Sequence, residues 1–151
     1  MLLIASDHGG LELKEAVRKF LEERHIAVRD LGTSNDDSVD YPDFGEKVAR
    51  AISRGEAEKG ILICGTGIGM SIVANKFPGV RAALISDEFA ARMSKEHNNA
   101  NIVVMGGRVS SPEKARAMVA AWLDGEFEGG RHQRRLEKIA TIEEEIRSGR
   151  I

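Results

Sequence analysis

The stretch that most constrains this chain is Lys59 to Ser71, KGILICGTGIGMS. Ile61 to Cys64 runs without alternation straight into Gly65-Thr66-Gly67-Ile68-Gly69. A short unbroken apolar run bounded by glycines suits a strand buried on both faces, as in a parallel sheet. The glycines let the backbone turn tightly and present N–H groups to an anion, with a helix starting just beyond. Cys64, the only cysteine, stands at the junction of strand and loop, where open α/β sheets place their ligands. It is a candidate nucleophile or base.

Strand and helix patterns alternate on both sides of this centre. Leu2 to Ala5 reads as a buried strand, and Leu13, Ala16, Val17, Phe20 and Leu21 as one face of a helix. Ile26, Val28 and Leu31 give a second strand with a polar alternate row, suited to a sheet edge. Gly32 to Asp40 is a polar loop, and Pro42 fits the first turn of a helix whose inner face is Phe44, Val48, Ala49 and Ile52. The helix after Cys64 ends near Lys76 to Gly79. A fourth strand covers Val80 to Ile85, a helix Glu88 to about Glu96, and a fifth strand Ile102 to Met105. Ser111 can cap a helix with Pro112 at its first position. A charged helix from about Arg131 to Arg147 closes the chain with the apolar stripe Leu136, Ile139, Ile142, Ile146. The pattern predicts one domain over 1–151, with a five-stranded, mostly parallel sheet between helices. The last helix has no following strand, which suggests packing on a second subunit.

Net charge is −2 and 42% of residues are hydrophobic, so no nucleic-acid or acidic-membrane partner is expected. A lone cysteine fits a reducing compartment, no stretch approaches the ~18 apolar residues of a membrane span, and no N-terminal signal is visible. A cytoplasmic protein is the expectation.

Polar groups at the strand ends converge in such a sheet: Asp7 and His8 after strand one, Cys64 after three, Asp87 after four, Arg108 after five. Spacing alone leaves Cys64 open between a small buried hydrophobe and a thiol whose pKa is lowered by loop amides. The glycine loop fails three familiar patterns at Met70: the dinucleotide fingerprint needs glycine there, the Walker loop its Gly-Lys-Ser/Thr ending, and a cysteine-phosphatase loop an arginine. Asp87 keeps a weak dinucleotide reading. No His/Cys/Asp spacing resembles a metal-ligand set, and His25 reads as structural. Arg131 and Arg135 share a helical face and are able to grip a phosphate jointly, although most such pairs are solvated.

Taken together, Ser6-Asp7-His8-Gly9, Asp40-Tyr41-Pro42, Cys64 to Gly69, His97-Asn98, Gly106-Gly107-Arg108 and Gly129 to Arg135 resemble the type B ribose-5-phosphate isomerase family. That family includes the galactose-6-phosphate and allose-6-phosphate isomerases. The resemblance implies a three-layer αβα Rossmann-like fold with an extra C-terminal helix. It further implies interconversion of ribose 5-phosphate and ribulose 5-phosphate through a cis-enediolate, without cofactor or metal. On this resemblance Cys64 is the base, and the amides of Gly65, Thr66, Gly67, Ile68 and Gly69 hold the enediolate oxygen. His97 opens the sugar ring with help from Asp7, and Thr66 shuttles a proton. Some members use a glutamate base at the position of Ile68, so this chain falls with the cysteine users. His8, Arg108, Arg131 and Arg135 would bind phosphate; Tyr41 and Asn98 would bind sugar hydroxyls. The site would lie at a homodimer interface, with His97, Asn98 and Arg108 coming from the second subunit. Competing readings are a six-carbon sugar-phosphate isomerase, a non-catalytic sugar-phosphate or nucleotide-binding module, and a dinucleotide-dependent enzyme.

Overall fold

In the computed structural model, which describes residues 1–151, each apolar run becomes a strand with period-two side-chain alternation across a single sheet. The strands are β1 (Leu2–Ser6), β2 (Val28–Asp30), β3 (Lys59–Cys64), β4 (Ala82–Leu84) and β5 (Ile102–Gly106). The helices are α1 (Leu11–Glu23), α2 (Tyr41–Ser53), α3 (Ile68–Ala74), α4 (Glu88–Glu96), α5 (Pro112–Asp124) and α6 (Arg131–Arg147). A 3₁₀ turn, His8–Gly10, joins β1 to α1. Strand order is β2-β1-β3-β5-β4, and every pairing is parallel. The short β2 lies at one edge, as its polar alternate row predicts.

Alternation divides the core in two. Leu2, Ile4, Ile61, Ile63, Val103 and Met105 face α1, α4 and α5, where Leu13, Val17, Leu21, Ala91, Met118 and Trp122 meet them. Leu3, Ala5, Leu62, Cys64, Ile102 and Val104 face α2 and α3, meeting Val48, Ala49, Ile52, Met70 and Ala74. Met70, where three loop patterns failed, is fully buried on that second face. Helix α6 belongs to neither cluster, and His132 is its one buried residue. Its apolar stripe stays open: Ile139, Ile142 and Ile146 are each more than half exposed.

Local chemistry sets several boundaries. Pro42 lies in the first turn of α2, and Ser111 caps α5 by accepting the Lys114 N–H at 3.2 Å. Strand β4 is shorter than the expected Val80 to Ile85. The Arg81 amide donates instead to Asn101 Oδ1 and the Ala82 amide to Asn75 Oδ1, so asparagine side chains replace ladder bonds at its start. Lys14, fully buried, is satisfied by Asp30 Oδ1 at 2.8 Å and by the Thr33 carbonyl. A buried ammonium needs such partners, and these fasten the polar loop after β2 to α1. No helix is long and apolar enough to cross a membrane.

Candidate active site

The chain reverses its direction across the sheet between β1 and β3, which are neighbours. That leaves a crevice at their carboxyl ends. Asp7 leaves β1 there and Cys64 ends β3. Cys64 is a free thiol, 5% exposed, and its Sγ accepts the Gly67 N–H at 3.2 Å. Gly67 adopts φ +84°, the left-handed conformation that folds the loop back over the sulfur. The Ile68 amide donates to Thr66 Oγ1 at 3.3 Å. The Gly67 and Ile68 amides are thus engaged within the loop, which leaves those of Gly65, Thr66 and Gly69 free among the five expected to face an oxyanion. The N–H groups of Gly65, Thr66, Gly69 and Met70 have no partner within the chain.

Close backbone approach gathers the other loops around this one. A Cβ at Gly106 would stand 2.6 Å from the Thr66 backbone, and one at Gly69 would overlap the Tyr41 ring. Gly9 sits between Asp7 Oδ1 and the Gly65 backbone. Asp7, 8% exposed, accepts the Gly10 N–H at 3.1 Å. His8 Nδ1 accepts the Val39 N–H at 3.1 Å, so in the neutral ring the proton belongs on Nε2. The Arg108 guanidinium lies against Gly65, 3.5 Å from its Cβ position, and the Arg108 amide donates to Gly65 O at 2.9 Å. Arg108 therefore stands with Cys64 of its own chain. Its expected origin in a second subunit, alongside His97, is corrected by that contact.

A second group forms at the opposite edge of the sheet. His97 caps the C-terminus of α4, and the chain from Asn98 to Asn101 leads into the start of β5. Asn101 O accepts the amide of Gly60, near the beginning of β3. From Gly60 to Cys64 the strand rises about 13 Å. Trp122 Nε1–H donates to Ala100 O at 2.9 Å and Arg81 Nε–H to Asn99 O at 3.0 Å, pinning this loop. Burial lowers the Arg81 pKa from its usual value.

The rings of His97 and His132 stack, centroids 4.0 Å apart. Glu128 Oε1 lies 3.5 Å from His97 Nε2 and 3.2 Å from His132 Nε2. Burial first, then His97 and Arg131, hold His132 below the usual imidazole range, while Glu128 pulls the other way. Arg131 and Arg135 start the same helix. The sequence reading carried His132 only inside the Gly129 to Arg135 motif, without a role, and passed over Glu128; the signal that joins the two is a spacing of four residues across the start of α6. Asp87 lies with neither group's chemistry: its Oδ1 caps α4 through the Ala90 N–H at 2.7 Å, which removes the support for a dinucleotide.

A sequence model described as Ribose/Galactose Isomerase matches residues 2–139. The chain belongs to that family. Ribose-5-phosphate isomerase B of Escherichia coli (strain K12) is 46% identical over 138 residues, covering 91% of this chain and 93% of that protein. The solved structure of Clostridium thermocellum ribose-5-phosphate isomerase B superposes with a TM-score of 0.94 at 52% identity, covering 96% of this chain and 98% of that one. The Mycoplasma genitalium enzyme, solved with bound ribulose 5-phosphate, gives 0.92 at 42% identity, covering 95% and 96%. Like these isomerases, the chain has a five-stranded αβα fold along nearly its whole length.

Proposed function

We propose that this member of the family interconverts ribose 5-phosphate and ribulose 5-phosphate, the aldose–ketose step of the pentose phosphate pathway, in the cytoplasm. The observation that carries the chemistry is the Cys64 sulfur beside backbone N–H groups without partners, at the crevice between β1 and β3. In the open-chain aldose, the Cys64 thiolate removes the proton from C2 as the C1 carbonyl oxygen gains charge. The unpaired amides of Gly65, Thr66, Gly69 and Met70 face that oxygen. Removing one such donor typically costs about 10²–10³ in rate. Thr66 and Asp7 move a proton between the two oxygens, and the Cys64 thiol returns its proton to C1. No hydride leaves and no cofactor takes part.

His97 opens the ring, Asn98 and Tyr41 bind sugar hydroxyls, and Arg131, Arg135, His8 and Arg108 bind the phosphate. One chain keeps these groups on two edges of the sheet, so a complete site takes the Cys64 edge of one copy and the His97 edge of another. A two-fold axis makes that contact twice. Exposed Ile68 and Ile72 on α3, and Ile139, Ile142 and Ile146 on α6, supply apolar surface for such a homodimer. Mixing Cys64→Ala with His97→Ala protein tests the arrangement. A heterodimer regains one intact site, so activity should reappear on subunit exchange; a mixture as inactive as its parts would contradict a shared site.

The substrate is tested by parallel assays of ketose formation from ribose 5-phosphate and allose 6-phosphate. Higher kcat/KM on the five-carbon sugar is expected, and a preference for the six-carbon sugar would overturn the assignment. In the same assay Arg135→Ala should raise KM by at least roughly tenfold with little change in kcat, since a charge-assisted phosphate contact contributes about 1.5–3 kcal/mol.

A further inference from the structure

The proposed isomerisation leaves one arrangement unexplained, the meeting of His97, Glu128 and His132. One ligand atom from each lies within 4.8 Å of the others. His132 is 5% exposed and its Nε2 has no hydrogen-bond partner, although buried nitrogens are nearly always satisfied. That nitrogen lies beside the Glu128 carboxylate, as does His97 Nε2. Glu128 is itself held, because its amide donates to Glu96 O at 3.0 Å, next to His97 in the chain.

Two imidazoles and a carboxylate form a three-protein-ligand set that tetrahedral zinc uses when it keeps one position open. Metal–ligand bonds of about 2.0–2.1 Å put tetrahedral ligand atoms about 3.3–3.4 Å apart. The carboxylate oxygen stands 3.5 and 3.2 Å from the two nitrogens, close to that spacing, and the more exposed His97 ring turns out of its stack on His132 to bring both lone pairs onto one ion. Imidazole nitrogen favours zinc, cobalt or nickel over magnesium or calcium. We propose that His97, Glu128 and His132 bind a divalent transition-metal ion of the zinc class, and that the bound ion withholds His97 from the sugar. The second clause rests on the ring-opening role proposed above for His97; the binding site does not. Arg131 and Arg135 lie on the same helix as His132, and their charge keeps the affinity well below that of a structural zinc site. The ion acts as a reversible inhibitor, and catalysis does not require it.

Zinc chloride titrated calorimetrically into the intact protein and into Cys64→Ala tests this, the variant removing the one thiol that would compete for zinc. One zinc per chain is expected in both, and cobalt should give the intense visible bands of a four-coordinate ion. Glu128→Gln and His132→Gln should each weaken zinc binding at least about tenfold, the lower end of what disturbing a metal's supporting residues costs. Glu128 is exposed, so its variant decides the matter even if the His132 variant fails to fold. Loss of zinc binding in Cys64→Ala, or undiminished binding in Glu128→Gln, would overturn the site. Inhibition of ketose formation that a chelator reverses supports both clauses. Zinc binding with undiminished turnover would leave the site standing and remove the acid role from His97.

Discussion

Cys64→Ala is expected to lower kcat by about 10²–10⁴-fold, the usual contribution of a positioned general base, while the affinity for ribose 5-phosphate changes little. The separation follows from the geometry. Cys64 touches the loop through a single hydrogen bond from Gly67, and the arginines proposed to grip the phosphate lie on other elements. Folding should survive, since the change removes one sulfur from a core face otherwise made of apolar side chains. Cys64→Ser is the sharper control. A hydroxyl can still accept the Gly67 N–H but is far harder to ionise near neutral pH, so it should be almost as inactive. Steady-state kinetics and substrate binding to both variants check this; turnover near the unaltered rate in either would contradict the base assignment.

Trp122→Ala should cost about 3–5 kcal/mol of stability, the range for emptying a large buried aromatic site. Trp122 is fully buried among α1, α4, α5 and the sheet, and its indole N–H holds Ala100 O. Ala100 follows His97 by three residues, so the substitution also loosens the loop that presents His97 and Asn98. Trp122→Phe separates the two effects, since it keeps most of the packing and loses only the hydrogen bond. It should recover most of the stability and less of the activity. Urea unfolding read alongside kcat distinguishes them, and an unchanged midpoint in Trp122→Ala would contradict its place in the core.

Local signals made much of the fold legible. Ser111 and Pro112 mark the start of α5, the stripe Leu136, Ile139, Ile142, Ile146 traces α6 over Arg131–Arg147, and the polar row of β2 announces an edge strand. What the sequence withheld is long-range. Nothing local says that β5 inserts between β3 and β4, or that Lys14, outside the apolar face read for α1, is buried against Asp30. The same holds for the candidate site. Asp7, Cys64 and Arg108 follow strands whose carboxyl ends must share an edge, so their meeting is readable from alternation alone. His97 follows a helix that runs back the other way, and topology puts it at the far edge. Glu128 and His132 join it only through the turn between α5 and α6, whose path no periodicity encodes.

Proton transfer by a thiolate base is most directly tested by running many cycles of ribose 5-phosphate isomerisation in deuterated water and following the exchanging carbons by NMR. A proton held on Cys64 exchanges with solvent in a fraction of turnovers, so deuterium should accumulate at C2 of the aldose and C1 of the ketose. In Cys64→Ala that incorporation should fall in step with turnover. Ketose forming over many cycles with no solvent deuterium at either carbon would mean a direct hydride shift, and would contradict an enediolate made by Cys64.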